Sequence, residues 1–223
     1  MAELILGIDD AGRGPVIGPM VLAGCLVTED SQKELKKLGV KDSKELTAKR
    51  REMLAEKIKE IAETFEVALS YPNEIDGNLN GGTNLNKLEA IKIAEIINKI
   101  NKGYTKIKVV IDCPSTTIAK WTDYLKTKIE DLSNLEIVCE HKADKNHVSV
   151  SAASIIAKHI REKEMDKLKE IYGTEIGSGY CSDPATIMFL EKRGLKHEHD
   201  GIFRKTWETW KNAINKINQR TLN

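Results

Sequence analysis

Two apolar runs open the chain, Leu4-Ile5-Leu6-Gly7-Ile8 and the stretch 20–28, joined by a turn rich in glycine and proline. Each has strand length, and together they predict strands over 3–9 and 20–28. Leu54, Ile58, Ile61 and Phe65 then recur at helical spacing behind Thr47, a residue suited to cap a helix N-terminus. Phe65, Val67, Leu69 and Tyr71 alternate with period 2, the mark of a half-buried strand. Positions 73–84 are polar and rich in glycine, which predicts a loop, and a helix is expected over about 85–100. Beyond it the pattern alternates. A strand over 107–111 ends at Asp112, and Ile118, Trp121, Leu125, Ile129 and Leu132 form one helical stripe. A strand over 135–139 and a long helix over 150–172 follow. A glycine-rich turn at 173–179 leads to two shorter helices that take in 187–190 and 207–217, with Trp207 and Trp210 spaced as core residues. There is no internal repeat and no low-complexity linker.

Strands first, then alternating helix and strand, predict an α/β fold: a mixed sheet flanked by helices. The expected division is a domain over 1–172 with a helical C-terminal extension, 173–223, packed on it. Ligands of such sheets gather beyond the carboxyl ends of strands. Asp9 and Asp112 stand at such ends and Asp144 follows a third, so the pattern alone predicts one acidic cluster.

Composition narrows the class. Hydrophobic residues make up 40% and charged residues 31%, the balance of a folded globular chain. The formal net charge of +1 excludes a strongly basic coat, but the segment 192–223 holds eight Lys or Arg against three Asp or Glu. A basic end on a neutral body permits a polyanionic partner. Four widely spaced cysteines, none in a C-x-x-C pair, argue against a disulfide scaffold or zinc ribbon and for a cytoplasmic location. No run approaches the ~20 apolar residues of a membrane span.

The most informative stretch is Gly7-Ile8-Asp9-Asp10-Ala11-Gly12-Arg13-Gly14-Pro15. Adjacent carboxylates at a strand's end favour a divalent cation. Asp9, Asp10, Asp112 and Asp144 in one pocket would repel one another until neutralised, and oxygen-only ligands favour Mg²⁺ or Mn²⁺ over zinc. The Gly12-Arg13-Gly14 turn offers backbone donors and a guanidinium to a phosphate or sugar hydroxyl, or it is simply a tight turn between strands. Lys41-Asp42-Ser43-Lys44 is a short basic turn before a helix. Tyr180, within Gly177-Ser178-Gly179-Tyr180, is either a stacking surface for a sugar or base or a packed turn residue. Charge and position suggest Lys44, Lys142 and Arg204 as phosphate contacts. His197 and His199 lie in a polar loop and read as solvated. A phosphosugar or nucleotide transferase would also use a metal and a glycine-rich turn, but the chain has neither a P-loop nor a G-x-G-x-x-G pattern.

Four blocks carry a family resemblance: the Gly7–Pro15 stretch just quoted; Lys41-Asp42-Ser43-Lys44; His141-Lys142-Ala143-Asp144 with Val150-Ser151-Ala152-Ala153-Ser154-Ile155-Ile156-Ala157-Lys158; and Gly177-Ser178-Gly179-Tyr180 with Ser182-Asp183-Pro184. In this order they closely resemble ribonuclease HII, the type 2 ribonucleases H, and its archaeal forms in particular. The resemblance covers nearly the whole chain. It implies a ribonuclease H-like fold and two-metal-ion hydrolysis of the RNA strand of RNA–DNA hybrids. It also implies incision 5′ of single ribonucleotides embedded in duplex DNA, leaving 3′-hydroxyl and 5′-phosphate ends, with a place in DNA replication and repair. Asp9, Asp10, Asp112 and Asp144 match the family's four metal-binding acids. Gly12, Arg13 and Gly14 match its sensor of the ribose 2′-hydroxyl, and Tyr180 the tyrosine that stacks on the following sugar. Ser43, Lys44, Lys142 and Arg204 complete the expected substrate contacts. Two positions depart from the pattern. The family has Glu where this chain has Asp10, which shortens the reach by one methylene, about 1.5 Å, and Pro where this chain has Cys181. The first departure leaves a second reading, a weakly catalytic or non-catalytic module that binds RNA–DNA hybrids. The segment 219–223 has no aromatic residue, so no sliding-clamp tail is expected, and the chain is expected to act as a monomer.

Overall fold

The structure is a computed structural model and describes residues 3–40, 46–103 and 105–221. Five strands form one sheet in the order β3-β2-β1-β4-β5: β1 (Leu4–Ala11), β2 (Met20–Thr28), β3 (Thr64–Ser70), β4 (Ile107–Asp112) and β5 (Leu135–Glu140). β1 runs antiparallel to β2 and parallel to β4, and β4 runs parallel to β5. The central position of β1 explains its unbroken apolar sequence, since a strand covered on both faces has no polar side to alternate with. This mixed sheet flanked by helices bears out the α/β expectation.

The helices are α1 (Glu29–Lys37), α2 (Ala48–Ile61), α3 (Pro72–Asn80), α4 (Leu85–Ile100), α5 (Ile118–Lys126), α6 (Ala143–Asn146), α7 (Val148–Tyr172), α8 (Pro184–Arg193) and α9 (Glu208–Thr221). Thr47 caps α2 as its sequence predicts, accepting a hydrogen bond from the Arg50 N–H. Two expectations fail in detail, and one helix, α1, has no counterpart among them. The segment 73–84 is helical through Asn80, because Pro72 opens the helix and Ile75 is fully buried on its inner face. α1 carries no apolar periodicity beyond Leu35. It is set up instead by its Thr28 cap, with Glu29 and Asp30 in its first turn and Lys36 and Lys37 in its last. α5 stops at Lys126, so the apolar stripe continues past the helix, with Ile129 buried and Leu132 exposed.

Chain contacts divide the molecule into two compact units, residues 1–11, 21–69 and 86–160, and residues 12–20, 70–85 and 161–223. This differs from the boundary expected at 172/173: the second unit gathers two earlier segments and the latter part of α7 as well as the C-terminal helices. In the first unit, Val21, Ala23, Cys25 and Val27 of β2 pack with Leu54 and Ile58 of α2 and with Ala152, Ala153, Ile155 and Ile156 of α7. The small residues of α7 let the helix lie close to the sheet. A Cβ on Gly7 would collide with the backbone of Ser149 and Val150, so any side chain there pushes α7 off β1. The second unit has its own core, in which Ile17, Met165, Ile176, Phe189 and Phe203 are joined by Trp210. Phe203 and Trp210 stack with centroids 4.5 Å apart. His197, read as solvated, instead stacks on Phe189 and meets Tyr172 edge-on.

Candidate active site

Parallel pairing of β1 and β4 is what first brings acids together. Ile8 registers with Ile111, so the next residue of each strand, Asp9 and Asp112, emerges at the same edge of the sheet. β4 also registers with β5, Asp112 opposite Glu140, and the chain leaving β5 turns back within three residues. That turn depends on Lys142, the one non-glycine residue with positive φ among the described residues (φ 60°, ψ 36°). It aims the Ala143 N–H at Asp112 Oδ1 (3.3 Å) and starts α6, whose first turn carries Asp144. Carboxylate oxygens of Asp9, Asp112 and Asp144 lie within 4.8 Å of one another. Asp10, the next residue of β1, is not part of this trio, although its charge bears on Asp9. It is half-buried, and with Asp9, Asp112 and Glu89 it lines a cavity of about 10 Å³.

α7 supports the cluster from beneath. Ser154 hydrogen-bonds Asp9, and the Ser151 hydroxyl donates to the Asp144 carbonyl at 2.5 Å. Asp9 Oδ1 also accepts the Asp10 N–H at 2.8 Å. Burial pushes the Asp9 carboxyl well above the usual carboxylate range. The charges of Asp10 and Asp112 push the same way, against the pull of Ser154 and the Asp10 N–H. Two buried acids and a half-buried one held this close, with all-oxygen donors, fit a hard divalent cation such as Mg²⁺ or Mn²⁺. The arrangement suits such an ion and penalises its absence.

The second unit holds the glycine-rich turns. Gly12 has φ +81°, a conformation that side chains rarely adopt. Arg204 lies beside it with no exposed surface. Its Nη2 donates to the Gly12 carbonyl (2.6 Å) and the Gly18 carbonyl (3.0 Å), its Nη1 to the Arg13 carbonyl (2.8 Å) and its Nε to Gly18 (3.1 Å). A guanidinium so enclosed cannot meet a phosphate, so the expected contact is corrected: Arg204 braces the turn from inside. The Gly14 carbonyl accepts from Trp207 Nε1 (3.0 Å) and from the Cys181 thiol (3.4 Å). The turn that presents Tyr180 is fixed by Asp183, which accepts from the Ser178 N–H (2.6 Å) and hydroxyl (2.7 Å) and from the Ala185 N–H at the start of α8 (3.0 Å). The Ser178 bonds, foremost, lower the Asp183 carboxyl to about 2. Tyr180 itself is 43% exposed. Ser43 and Lys44 lie outside the described residues, and Lys142 is exposed.

The family profile for ribonuclease HII matches residues 6–210. The chain belongs to the ribonuclease HII family. It is 44% identical over 229 residues to a ribonuclease HII of Methanocaldococcus jannaschii, covering 98% of each chain. Its fold superposes on the crystal structure of ribonuclease H2 from Pyrococcus horikoshii with a TM-score of 0.86, 37% identity and coverage of 97% of this chain and 99% of that one. A second similar structure is ribonuclease HII of Archaeoglobus fulgidus in complex with PCNA, with a TM-score of 0.81, 37% identity and coverage of 94% and 96%. Membership makes this chain a metal-dependent endoribonuclease.

Sequence reasoning gave no role to four residues that the structure draws in: Ser154, Arg161, Asp183 and Glu89. The first two carried a signal. Ser151, Ser154 and Arg161 recur at three- and seven-residue intervals along α7, a polar stripe on a helix face that also holds the buried Met165. The strained Lys142 yields a prediction. The left-handed conformation costs a side-chain-bearing residue about 1–2 kcal/mol, part of which a glycine returns as extra freedom in the unfolded chain. Lys142→Gly is therefore expected to melt at or above the wild-type temperature, whereas Lys142→Val melts below it, as thermal denaturation will show.

Proposed function

We propose that this chain cleaves the RNA strand of RNA–DNA hybrids, and duplex DNA on the 5′ side of a single embedded ribonucleotide, leaving 3′-hydroxyl and 5′-phosphate ends. The observation that carries the reading is the trio of Asp9, Asp112 and Asp144, whose oxygens converge within 4.8 Å at one sheet edge. These three, with Asp10 beside them, would hold divalent metal. Such ions, when bound, supply an activated water and charge stabilisation for an in-line phosphoryl displacement. Ser154 and the Asp10 N–H fix the Asp9 carboxylate, and the Ala143 N–H fixes Asp112, so the donors are oriented in advance.

The Gly12-Arg13-Gly14 turn follows β1 directly in the sequence, and its role here is recognition of the ribose 2′-hydroxyl, the one group that separates RNA from DNA at a given position. Arg204 engages its carbonyls from the buried side, which holds the turn's shape. Tyr180 offers an exposed ring to the neighbouring sugar. Ser43, Lys44 and Lys142 are proposed as contacts to the phosphate backbone. The decisive experiment is incubation of duplex DNA carrying one ribonucleotide with Mg²⁺ or Mn²⁺, beside an all-DNA duplex. Incision 5′ of the ribonucleotide and none in the control supports the reading, and cleavage of both or neither rejects it.

The alternative of a hybrid-binding module with little catalysis turns on Asp10. A carboxylate one methylene too short for the trio weakens ion binding, and Asp10 is half-buried beside a cavity of about 10 Å³ that it shares with Asp9 and Asp112. Asp10→Glu is expected to raise cleavage at limiting metal by roughly tenfold, since ~1 Å of placement is worth up to a hundredfold. Titration of the rate against Mg²⁺ checks it. A wild type that binds hybrids tightly, with detectable cleavage appearing only in the Asp10→Glu variant, would favour the alternative.

A further inference from the structure

We infer that Arg161 is a positioning residue for ribose recognition: it sets the plane of the Tyr180 ring and fixes the Gly12 turn against it. The inference rests on the function proposed above and adds a residue to it. Arg161 lies in the latter part of α7 and is 7% exposed. Its guanidinium carbon sits 4.8 Å from the centre of the Tyr180 ring. Its Nη2 donates to the Ser178 carbonyl at 3.1 Å, two residues before that ring. Its Cδ and Nε fill the space that a Cβ on Gly12 would need, and Nη2 lies 3.4 Å from where a Cβ on Gly179 would stand. One planar cation thus touches both glycine-rich turns and the aromatic ring between them and solvent.

Burying a guanidinium is costly unless its donors are used. Here Nε has no hydrogen-bond acceptor among the described residues. Packing alone does not call for a cation in this position, since Met would fill the same slot without that cost. What the guanidinium adds is a flat face against the ring held at the same time as the Nη2 bond to the Ser178 carbonyl, a combination that a lysine ammonium does not reproduce. Tyr180 keeps 43% of its surface open, so one side is held and the other is free for a sugar. Tyrosine orientation, and the spacing of Gly12 from it, are then set by α7 before substrate arrives.

The test is a double-mutant cycle on duplex DNA with a single ribonucleotide, with rates expressed per Mn²⁺-binding site to count only folded protein. Arg161→Lys is expected to lower kcat roughly tenfold with little change in KM, as expected for a misplaced contact. That loss should persist beside Tyr180→Phe, which keeps the ring, and vanish beside Tyr180→Leu, which removes it. Arg161→Met, which fills the slot without charge, should behave as the Lys variant does and serves if that variant does not fold. Undiminished kcat in both variants, or a loss that is equally large beside Tyr180→Leu, overturns the inference. A 3-fluorotyrosine at position 180 reads the ring without substrate: its ¹⁹F resonance should move toward the free-tyrosine position in Arg161→Lys. An unchanged resonance also overturns the inference. A wild type that leaves the ribonucleotide duplex intact fails the ribonuclease reading instead, and the fluorine signal still decides the role of Arg161.

Discussion

Replacing Asp112 or Asp9 by Asn is expected to reduce ribonucleotide-dependent cleavage at least about a thousandfold while leaving the protein folded. Metal-assisted charge stabilisation is worth several kcal/mol, and about 4 kcal/mol corresponds to a thousandfold in rate. Single-turnover cleavage with saturating Mn²⁺ measures it, and residual activity within tenfold of wild type would remove the trio from the chemistry. For Asp9 the loss of function comes with a gain of stability in metal-free protein. Burial, reinforced by Asp10 and Asp112, raises its folded-state pKa well above the unfolded value. The folded state therefore binds the proton more tightly, and stability is greatest below the unfolded pKa of about 3.9 and is lost as pH rises through the folded pKa. An Asn carries no charge at any pH. Metal-free Asp9→Asn should therefore melt above wild type at pH 7, by about 2–4 °C for each kcal/mol recovered, and the difference should shrink toward pH 4. Added Mn²⁺ reverses the order, because an ion that binds only the folded wild type stabilises it by mass action. Melting curves at both pH values, with and without metal, check the sign.

The register of β1 and β4 is why the acidic cluster could be read from the sequence. Strand ends are visible as the last apolar residue before a turn, and parallel strands end at the same sheet edge. Ile8 and Ile111 each hand over to an aspartate, so the pairing of Asp9 with Asp112 needs only the topology. Asp144 required more. Its place in the trio depends on a left-handed lysine and a four-residue helix, local geometry that no hydrophobic period encodes. Asp10 shows the limit of counting acids. It adjoins Asp9 in the sequence, but the oxygens that converge within 4.8 Å are those of Asp9, Asp112 and Asp144, and Asp10 stays beside them as a charge that raises the Asp9 pKa.

The segment 73–84 and Arg204 mark the other limits. α3 is polar and holds a glycine, so its periodicity is faint. It is defined by contacts distant in sequence: the Asp76 carboxylate accepts from the N–H groups of Lys205 (2.6 Å) and Thr206 (3.1 Å) and from the Thr206 hydroxyl. Arg204, next along the same segment, reads in the sequence as one more positive charge in a basic C-terminal stretch. Only the fold reveals that it points inward, 186 to 192 residues along the chain from the carbonyls it binds. Charge in a sequence tells which partners are possible, and burial decides whether the partner is a ligand or the protein's own backbone.

Removing that brace should be the most damaging change outside the acids. Arg204→Met keeps the length and apolar stem but leaves the carbonyls of Gly12, Arg13 and Gly18 without their buried donor. Each buried acceptor left unsatisfied costs about 1–3 kcal/mol, and breaking a buried charged network costs about 3–5 kcal/mol in all. The stacking of the guanidinium over Trp207, at 5.0 Å, is lost as well. Arg204→Lys recovers little, because one ammonium cannot span three carbonyls that a planar fork reaches together. The expected result is a drop in denaturant midpoint equivalent to about 3–5 kcal/mol for the Met variant and nearly as much for the Lys variant. Mn²⁺ affinity of the molecules that remain folded should be unchanged, since the acids are held by β1, β4 and α6 and make no use of this side chain. A phosphate-binding arginine predicts the opposite pattern: unaltered stability, with weaker and less salt-sensitive binding of nucleic acid. Urea unfolding and salt-dependent binding of a hybrid, measured on the same two variants, therefore separate a brace from a contact.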